Sequence, residues 1–74
     1  MSEPGINLLR LGLNIRRWRH GARLTQAELA TKVGCTSRTI SAIERGKREI
    51  SVDMLFSLCR TLGCPVAELL LGVE

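Results

Sequence analysis

The chain has 74 residues, of which 45% are hydrophobic, and its 11 Lys and Arg outnumber seven Asp and Glu to give a net charge of +4. This length suits one domain over 1–74 and no more. The hydrophobic fraction argues against a disordered chain, and no apolar run reaches the ~18 residues of a membrane span. The positive charge suits a polyanionic partner, although many unrelated small domains are equally basic.

The apolar pattern predicts a first helix from about 7 to 20. One stripe recurs at three- and four-residue spacing and indicates a buried face; it consists of Leu8, Leu11, Ile15 and Trp18. A second stripe lies beside it and consists of Ile6, Leu9 and Leu13. A helix this broadly apolar is expected to bury more than one face.

A second helix is predicted to begin after Thr25, which lies three residues before Glu28 in a capping-box arrangement. Gly34 supplies the left-handed stop that ends it. Thr36 then caps a third helix, which has Ile40 and Ile43 facing inward and ends at Gly46.

Ser51 is predicted to cap a fourth helix that stops at Gly63, with Pro65 in the first turn of a short fifth helix. The inward positions of the fourth are expected to be Val52, Leu55, Leu58, Cys59 and Leu62. The sequence therefore predicts an all-α domain of five helices. We expect its core over about 7–71, with 1–5 forming a flexible N-terminal arm.

The cysteines are odd in number and lack the spacing of a metal clip, and they are Cys35, Cys59 and Cys64. We interpret them as reduced, buried thiols of a cytosolic protein. His20, the only histidine, is expected at the surface or capping a helix end. No metal site and no cofactor are predicted, and no arrangement of nucleophile, base and acid suggests an enzyme.

The second and third helices are both short and are joined by Gly34-Cys35-Thr36. Two short helices with a sharp, Gly-containing turn are typical of the helix-turn-helix that reads DNA. Ala30 favours the close approach of the two helices that this motif needs. On spacing alone, an ordinary helical hairpin stays open as an alternative.

Three further segments carry a resemblance to a known family: Thr25–Ala30, Gly34–Thr36 and Ile40–Gly46. Together with Leu11-Gly12, Arg19 and the fourth-helix pattern, they closely resemble the Cro/CI (Xre, lambda-repressor-like) family over about 11–71. The resemblance implies a compact bundle of five helices, acting as a two-fold dimer on a palindromic operator. The family usually has Gly where this chain has Arg23; either Arg23 accepts left-handed strain or Gly21 takes over the stop.

In that family, base edges are read from the third helix, at the positions matching Ser37, Arg38, Ser41 and Ala42. Arg38 can donate two parallel bonds to guanine O6 and N7, with a phosphate contact as the alternative. Gln26 matches a position that grips a phosphate at a helix N-terminus. Further phosphate candidates are Thr39, Arg45, Lys47 and Arg48, of which the last two are equally consistent with a solvated turn.

Arg19 and Glu44 match two family positions that form a partly buried ion pair, so we expect a structural role for both. The candidate dimer residues are Val66, Leu69, Leu70 and Leu71. With the second stripe of the first helix, they exceed what one small core obviously needs. They either pack within the monomer or form an interface that joins two DNA-binding halves.

The sequence thus predicts a cytoplasmic, nucleoid-associated regulator that binds double-stranded DNA in the major groove as a homodimer. We expect a repressor, with activation through polymerase left open. The alternative is an antitoxin that autoregulates its operon and binds a partner protein, although the chain has no long tail to wrap one. No membrane partner and no small-molecule ligand are expected.

Overall fold

The computed structural model describes residues 6–74, so the predicted N-terminal arm lies outside the described residues. Five helices follow one another: α1 is Leu8–Gly21, α2 is Gln26–Val33, α3 is Ser37–Glu44, α4 is Val52–Leu62 and α5 is Val66–Leu69. The all-α prediction is confirmed, and every predicted helix is present. Within 6–74, no helix is long and apolar enough to cross a membrane.

The helix starts follow local capping chemistry. Thr25 and Glu28 form the reciprocal capping box, with each side chain accepting from the other's backbone N–H. The hydroxyls of Thr36 and Ser51 accept from backbone N–H groups three residues on. α1 has a cap that the sequence reading missed, because the Asn7 side chain accepts from the Arg10 N–H at 3.0 Å.

The helix ends use residues in the left-handed region. Gly34, Gly46 and Gly63 have φ of +84°, +72° and +66°, as their predicted stop roles require. Gly21 is not a stop, since it is still helical at the end of α1. Arg23 instead takes the left-handed conformation itself, with φ +61°. The chain therefore accepts backbone strain at a position where glycine would have none.

The core lies between the five helices, with α2 packed against α3 and α4 and α1 packed against α3, α4 and α5. Its fully buried side chains are Ile15, Leu29, Ile40, Ile43, Leu58 and Leu69. Asn14 is a buried polar residue that sequence reasoning missed. Its amide donates to the carbonyl oxygens of Leu69 and Leu71, both at 2.9 Å, and so ties α1 to the end of the chain.

Two apolar predictions are corrected. Val52, predicted to face inward, is 67% exposed, because the first residue of α4 projects beyond the side that α1 and α2 cover. Pro65 does not lie in the first turn of α5 but at the N-cap, with its extended ψ of 142° leading into the helix.

The cysteines are free thiols. Cys59 and Cys64 are buried, whereas Cys35, in the turn after α2, is only half-buried. Burial raises the pKa of Cys35 and Cys59 above the usual 9.0. Burial, with added repulsion from Cys59 and Glu68, raises the pKa of Cys64 to about 11. All three are therefore protonated near neutral pH.

Candidate nucleic-acid interface

The turn between α2 and α3 holds the two helices close together. Gly34 and Cys35 both donate their backbone N–H to the Ala30 carbonyl oxygen at 2.9 Å. Ala30 is only 2% exposed, and its small side chain is part of the core. The three residues 34–36 thus separate two eight-residue helices. This is the geometry of a helix-turn-helix.

One face of α3 is free of the rest of the domain. Ile40 and Ile43 are buried, while Ser37 and Arg38 are exposed at the start of the helix. Ser41 and Ala42 are half-exposed one turn later. The predicted base-reading residues therefore share a single outward face. No segment within 6–74 covers it.

The last turn of α3 is fastened to α1 by an ion pair. Arg19 Nε donates to Glu44 Oε2 at 2.6 Å, and Arg19 Nη2 donates to Glu44 Oε1 at 3.0 Å. Both side chains are buried, with 9% and 3% exposed. The remaining guanidinium nitrogen, Nη1, donates to the Leu24 carbonyl at 2.9 Å. The pair therefore has its hydrogen-bonding groups satisfied inside the domain.

Gln26, the first residue of α2, joins this network. Its Nε2 donates to Glu44 Oε1 at 3.0 Å, so the side chain is half-buried rather than extended into solvent. A carboxamide nitrogen carries two hydrogens. One is used by Glu44, and the other is left for an acceptor such as a phosphate oxygen. Sequence reasoning predicted the phosphate contact and missed the link to Glu44.

A close approach of backbones also seats α3 on α1. A Cβ added to Gly12 would lie 2.4 Å from the Ile43 carbonyl oxygen and 2.5 Å from that of Glu44. No side chain fits there. Glycine inside a helix costs about 1 kcal/mol relative to alanine, and that unfavourable choice within an apolar stripe is the signal that identifies Gly12.

The turn after α3 presents basic residues beside the helix. Gly46 donates to the Ile43 carbonyl at 3.0 Å and Lys47 to the Ala42 carbonyl at 2.9 Å, which is the Schellman closure. Arg45, Lys47 and Arg48 are exposed here. The predicted phosphate residue Thr39 is half-buried, with its hydroxyl 3.1 Å from the Thr36 hydroxyl. Gln26, through its bond to Glu44, and the basic turn that follows Glu44 therefore both lie at the C-terminal end of α3.

The predicted dimer residues differ in what they expose. Leu69 is fully buried and offers no surface to a second chain, so that prediction is corrected. Val66 is half-buried, whereas Leu70 and Leu71 are 37% and 64% exposed. Leu69 faces the core because Asn14 anchors its carbonyl against α1.

Other apolar residues are also exposed, and two of them, Ile6 and Val52, adjoin Leu70. Val52 and Phe56, one turn apart on α4, are 67% and 45% exposed, and Ile6 is 66% exposed. Ile6, Val52 and Leu70 line one shallow cavity of about 130 Å³. We call Ile6, Val52, Phe56, Leu70 and Leu71 the apolar patch.

Comparison with known proteins places this geometry in a class. A helix-turn-helix family model matches residues 15–69. The chain is 36% identical over 59 residues to the uncharacterized HTH-type transcriptional regulator y4dJ of Sinorhizobium fredii, covering 80% of this chain and 77% of that one. The fold and the matched family define a DNA-binding transcriptional regulator rather than an enzyme.

The similar solved structures include two regulators. The clp gene regulator ClgR of Corynebacterium glutamicum superposes with a TM-score of 0.82 at 35% identity, covering 93% of this chain and 88% of that one. The P22 c2 repressor protein, in complex with a synthetic operator, superposes with a TM-score of 0.77 at 34% identity, covering 84% and 94%. The chain belongs to the Cro/CI-type (Xre) helix-turn-helix family.

Proposed function

We propose that the chain is a transcriptional repressor that binds a palindromic operator as a homodimer, with α3 in the major groove. The observation that carries the proposal is the uncovered face of α3, held at its C-terminal end by Arg19 and Glu44. A helix presented in this way enters the major groove, which is wide enough to accept it. The similarity to a repressor solved on its operator supports this reading. Such a regulator acts on the nucleoid, in the cytoplasm.

Arg38 is the main reader of sequence in this proposal. It is exposed in the first turn of α3, where its guanidinium reaches guanine O6 and N7 with two parallel hydrogen bonds. Ser37 and Ser41 add single hydrogen bonds to base edges, and Ala42 contacts a thymine methyl group. A bidentate contact discriminates by about 1–3 kcal/mol, so Arg38 has the largest share of specificity.

The phosphate contacts flank these residues. Gln26 donates its free amide hydrogen at the positive end of the α2 dipole, where backbone N–H groups add to the attraction. Further contacts to the sugar-phosphate backbone come from Thr39, Arg45, Lys47 and Arg48. These contacts set register and orientation without reading sequence. They also make the affinity depend steeply on salt.

The apolar patch is the proposed dimer interface. Stable interfaces bury about 800 Å² on each partner and have an apolar centre. The patch supplies such a centre at the junction of α4 and α5, on residues that the core leaves exposed. A two-fold axis through it presents two copies of α3 to half-sites about 34 Å apart, one turn of duplex.

Selection of bound sequences from a random duplex pool tests the whole proposal, and we expect an inverted repeat. Arg38→Ala should relax the preference at one base pair of each half-site, whereas Gln26→Ala should weaken binding to all sequences alike. Arg60→Ala is the matched control, since Arg60 is exposed on α4, outside the proposed interface. Binding unchanged by Arg38→Ala would refute the assignment of α3 as the reading helix.

Two further measurements test dimer formation and repression separately. Val52→Asp should convert the dimer to a monomer in sedimentation equilibrium and abolish cooperative occupation of the two half-sites. A monomeric wild-type protein on a full operator would contradict the dimer. Transcription in vitro from a promoter that overlaps the selected operator should fall as protein is added, and a rise would replace repression with activation.

A further inference from the structure

The solvent-facing side of α1 carries a pattern that the DNA-binding proposal does not use. We call Leu9, Leu13, Arg16, Arg17 and His20 the α1 outer stripe. At 100° per residue these positions fall within an arc of about 100°. All five are exposed, and Leu9 and Leu13 retain 56% and 40% of their surface. The stripe is apolar in its first half and basic in its second.

No acidic residue on α1 balances the positive charge of this face. Residues 6–27 contain no Asp or Glu. Arg19, which belongs to the same helix, is neutralised by Glu44, but Arg16 and Arg17 point to solvent. At the apolar end, the backbone of Leu9 lies against Gly46. The two exposed leucines are thus followed along α1 by the positive charges of Arg16 and Arg17.

We propose that the α1 outer stripe is a docking surface for an acidic amphipathic helix of a different protein. Exposed leucines at i and i+4 accept the apolar residues of a partner helix, and the arginines that follow select carboxylates on its flank. Duplex DNA fits this face poorly because its backbone has no apolar counterpart for the leucines. A second copy of the chain fits poorly too, since it would bring four arginines to the contact without a carboxylate.

The test uses the full chain and a fluorescein-labelled helical peptide with leucines at i, i+4 and i+7 and glutamates on the flanking positions. Fluorescence anisotropy should show saturable binding that weakens as salt is raised. A peptide in which lysines replace the glutamates should have an affinity lower by about tenfold or more. A peptide that keeps the glutamates and replaces the leucines with serines should lose binding to a similar degree.

Protein variants assign the site. Leu9→Ser/Leu13→Ser should weaken binding of the glutamate peptide at least ~tenfold, while Ala67→Ser, an exposed apolar control outside the stripe and outside the apolar patch, should not. Arg16→Glu/Arg17→Glu should reverse the preference to the lysine peptide. Circular dichroism verifies that each variant is folded.

Four results would overturn the proposal. The first is equal binding of the glutamate and lysine peptides, and the second is an unchanged preference in the arginine-to-glutamate variant. The third is a loss of operator affinity in that variant as large as that of Arg38→Ala, which would make the stripe part of the DNA interface. Amide shifts on peptide addition should map to α1; shifts confined to the apolar patch would also reject it.

Discussion

Replacing Glu44 with alanine removes the acceptor that joins three helices. Its carboxylate receives Arg19 Nε at 2.6 Å, Arg19 Nη2 at 3.0 Å and Gln26 Nε2 at 3.0 Å. In Glu44→Ala, the guanidinium stays buried with only its bond to the Leu24 carbonyl. Each buried donor left without a partner costs about 1–3 kcal/mol. For two such donors on a buried charge, we expect a loss of about 3–5 kcal/mol of unfolding free energy.

Urea unfolding followed by far-UV circular dichroism measures this loss. Glu44→Gln keeps the side-chain shape and one acceptor oxygen, so its loss should be smaller and the variant stays folded enough to measure. Arg19→Met/Glu44→Leu should cost less than the sum of the single changes, because neither charge is then left unpaired. Glu49→Ala, which alters an exposed glutamate, should change stability by no more than about 0.5 kcal/mol.

A loss below about 1 kcal/mol in Glu44→Ala would show that water or a rearranged side chain satisfies Arg19 at little cost. Strict additivity of the single and double changes would show the same. Either result would refute the view that this pair fixes the end of α3.

The remaining predictions concern local strain and titration. Gly12→Ala should cost about 3 kcal/mol or more in thermal unfolding, because its Cβ would meet backbone at 2.4 Å, whereas Gly21→Ala, with nothing within 4 Å, should stabilise by about 0.5–1 kcal/mol. Arg23→Gly should raise stability by up to about 1 kcal/mol by relieving the left-handed strain at φ +61°; a decrease in urea midpoint would contradict this. Burial holds the folded pKa of Cys64 at about 11, above the usual 9.0, so its thiol leaves stability unaffected below pH 9. As pH rises from 9 to 11 the unfolded thiol ionises first, and about 2–3 kcal/mol is lost. Cys64→Ala should flatten this alkaline loss in urea titrations, and Cys35→Ala, at a half-buried thiol, should flatten it less.

The helices and their limits could be predicted from the sequence because their signals are local. A hydroxyl at the N-cap, a glutamate three residues later and a glycine after the last turn act within a few residues of one another. Thr25, Thr36 and Ser51 therefore mark the starts of α2, α3 and α4, and Gly34 and Gly63 mark two of the ends. Such chemistry needs no knowledge of the tertiary structure.

The errors concern which apolar residues are covered. Val52 and Leu69 both continue helical stripes, yet one is 67% exposed and the other fully buried. Helical periodicity gives the face of a residue but not how far a neighbouring helix extends over it. Asn14 was missed for a related reason, since the carbonyls that satisfy its amide lie 55 and 57 residues further along the chain.

The candidate interface was also predictable only in part. Periodicity placed the outward face of α3, because Ile40 and Ile43 must face inward. The pairing of Arg19 with Glu44 was predicted from the family resemblance. The half-buried position of Gln26 was predicted neither from periodicity nor from that resemblance. A side chain that donates one hydrogen within the protein and keeps a second one available has no signature in sequence.

α3 itself has only eight residues, and a helix of two turns is not stable on its own. Its position depends on groups that are not proposed to touch DNA, chiefly Gly12 and Glu44. Base reading tolerates little displacement, because a bidentate hydrogen bond requires a fixed fork. The two-turn helix proposed to read DNA is therefore held in place by a buried ion pair and by a close backbone contact at a glycine. This accounts for a buried charge pair in a core whose other buried side chains, apart from Asn14, Cys59 and Cys64, are aliphatic.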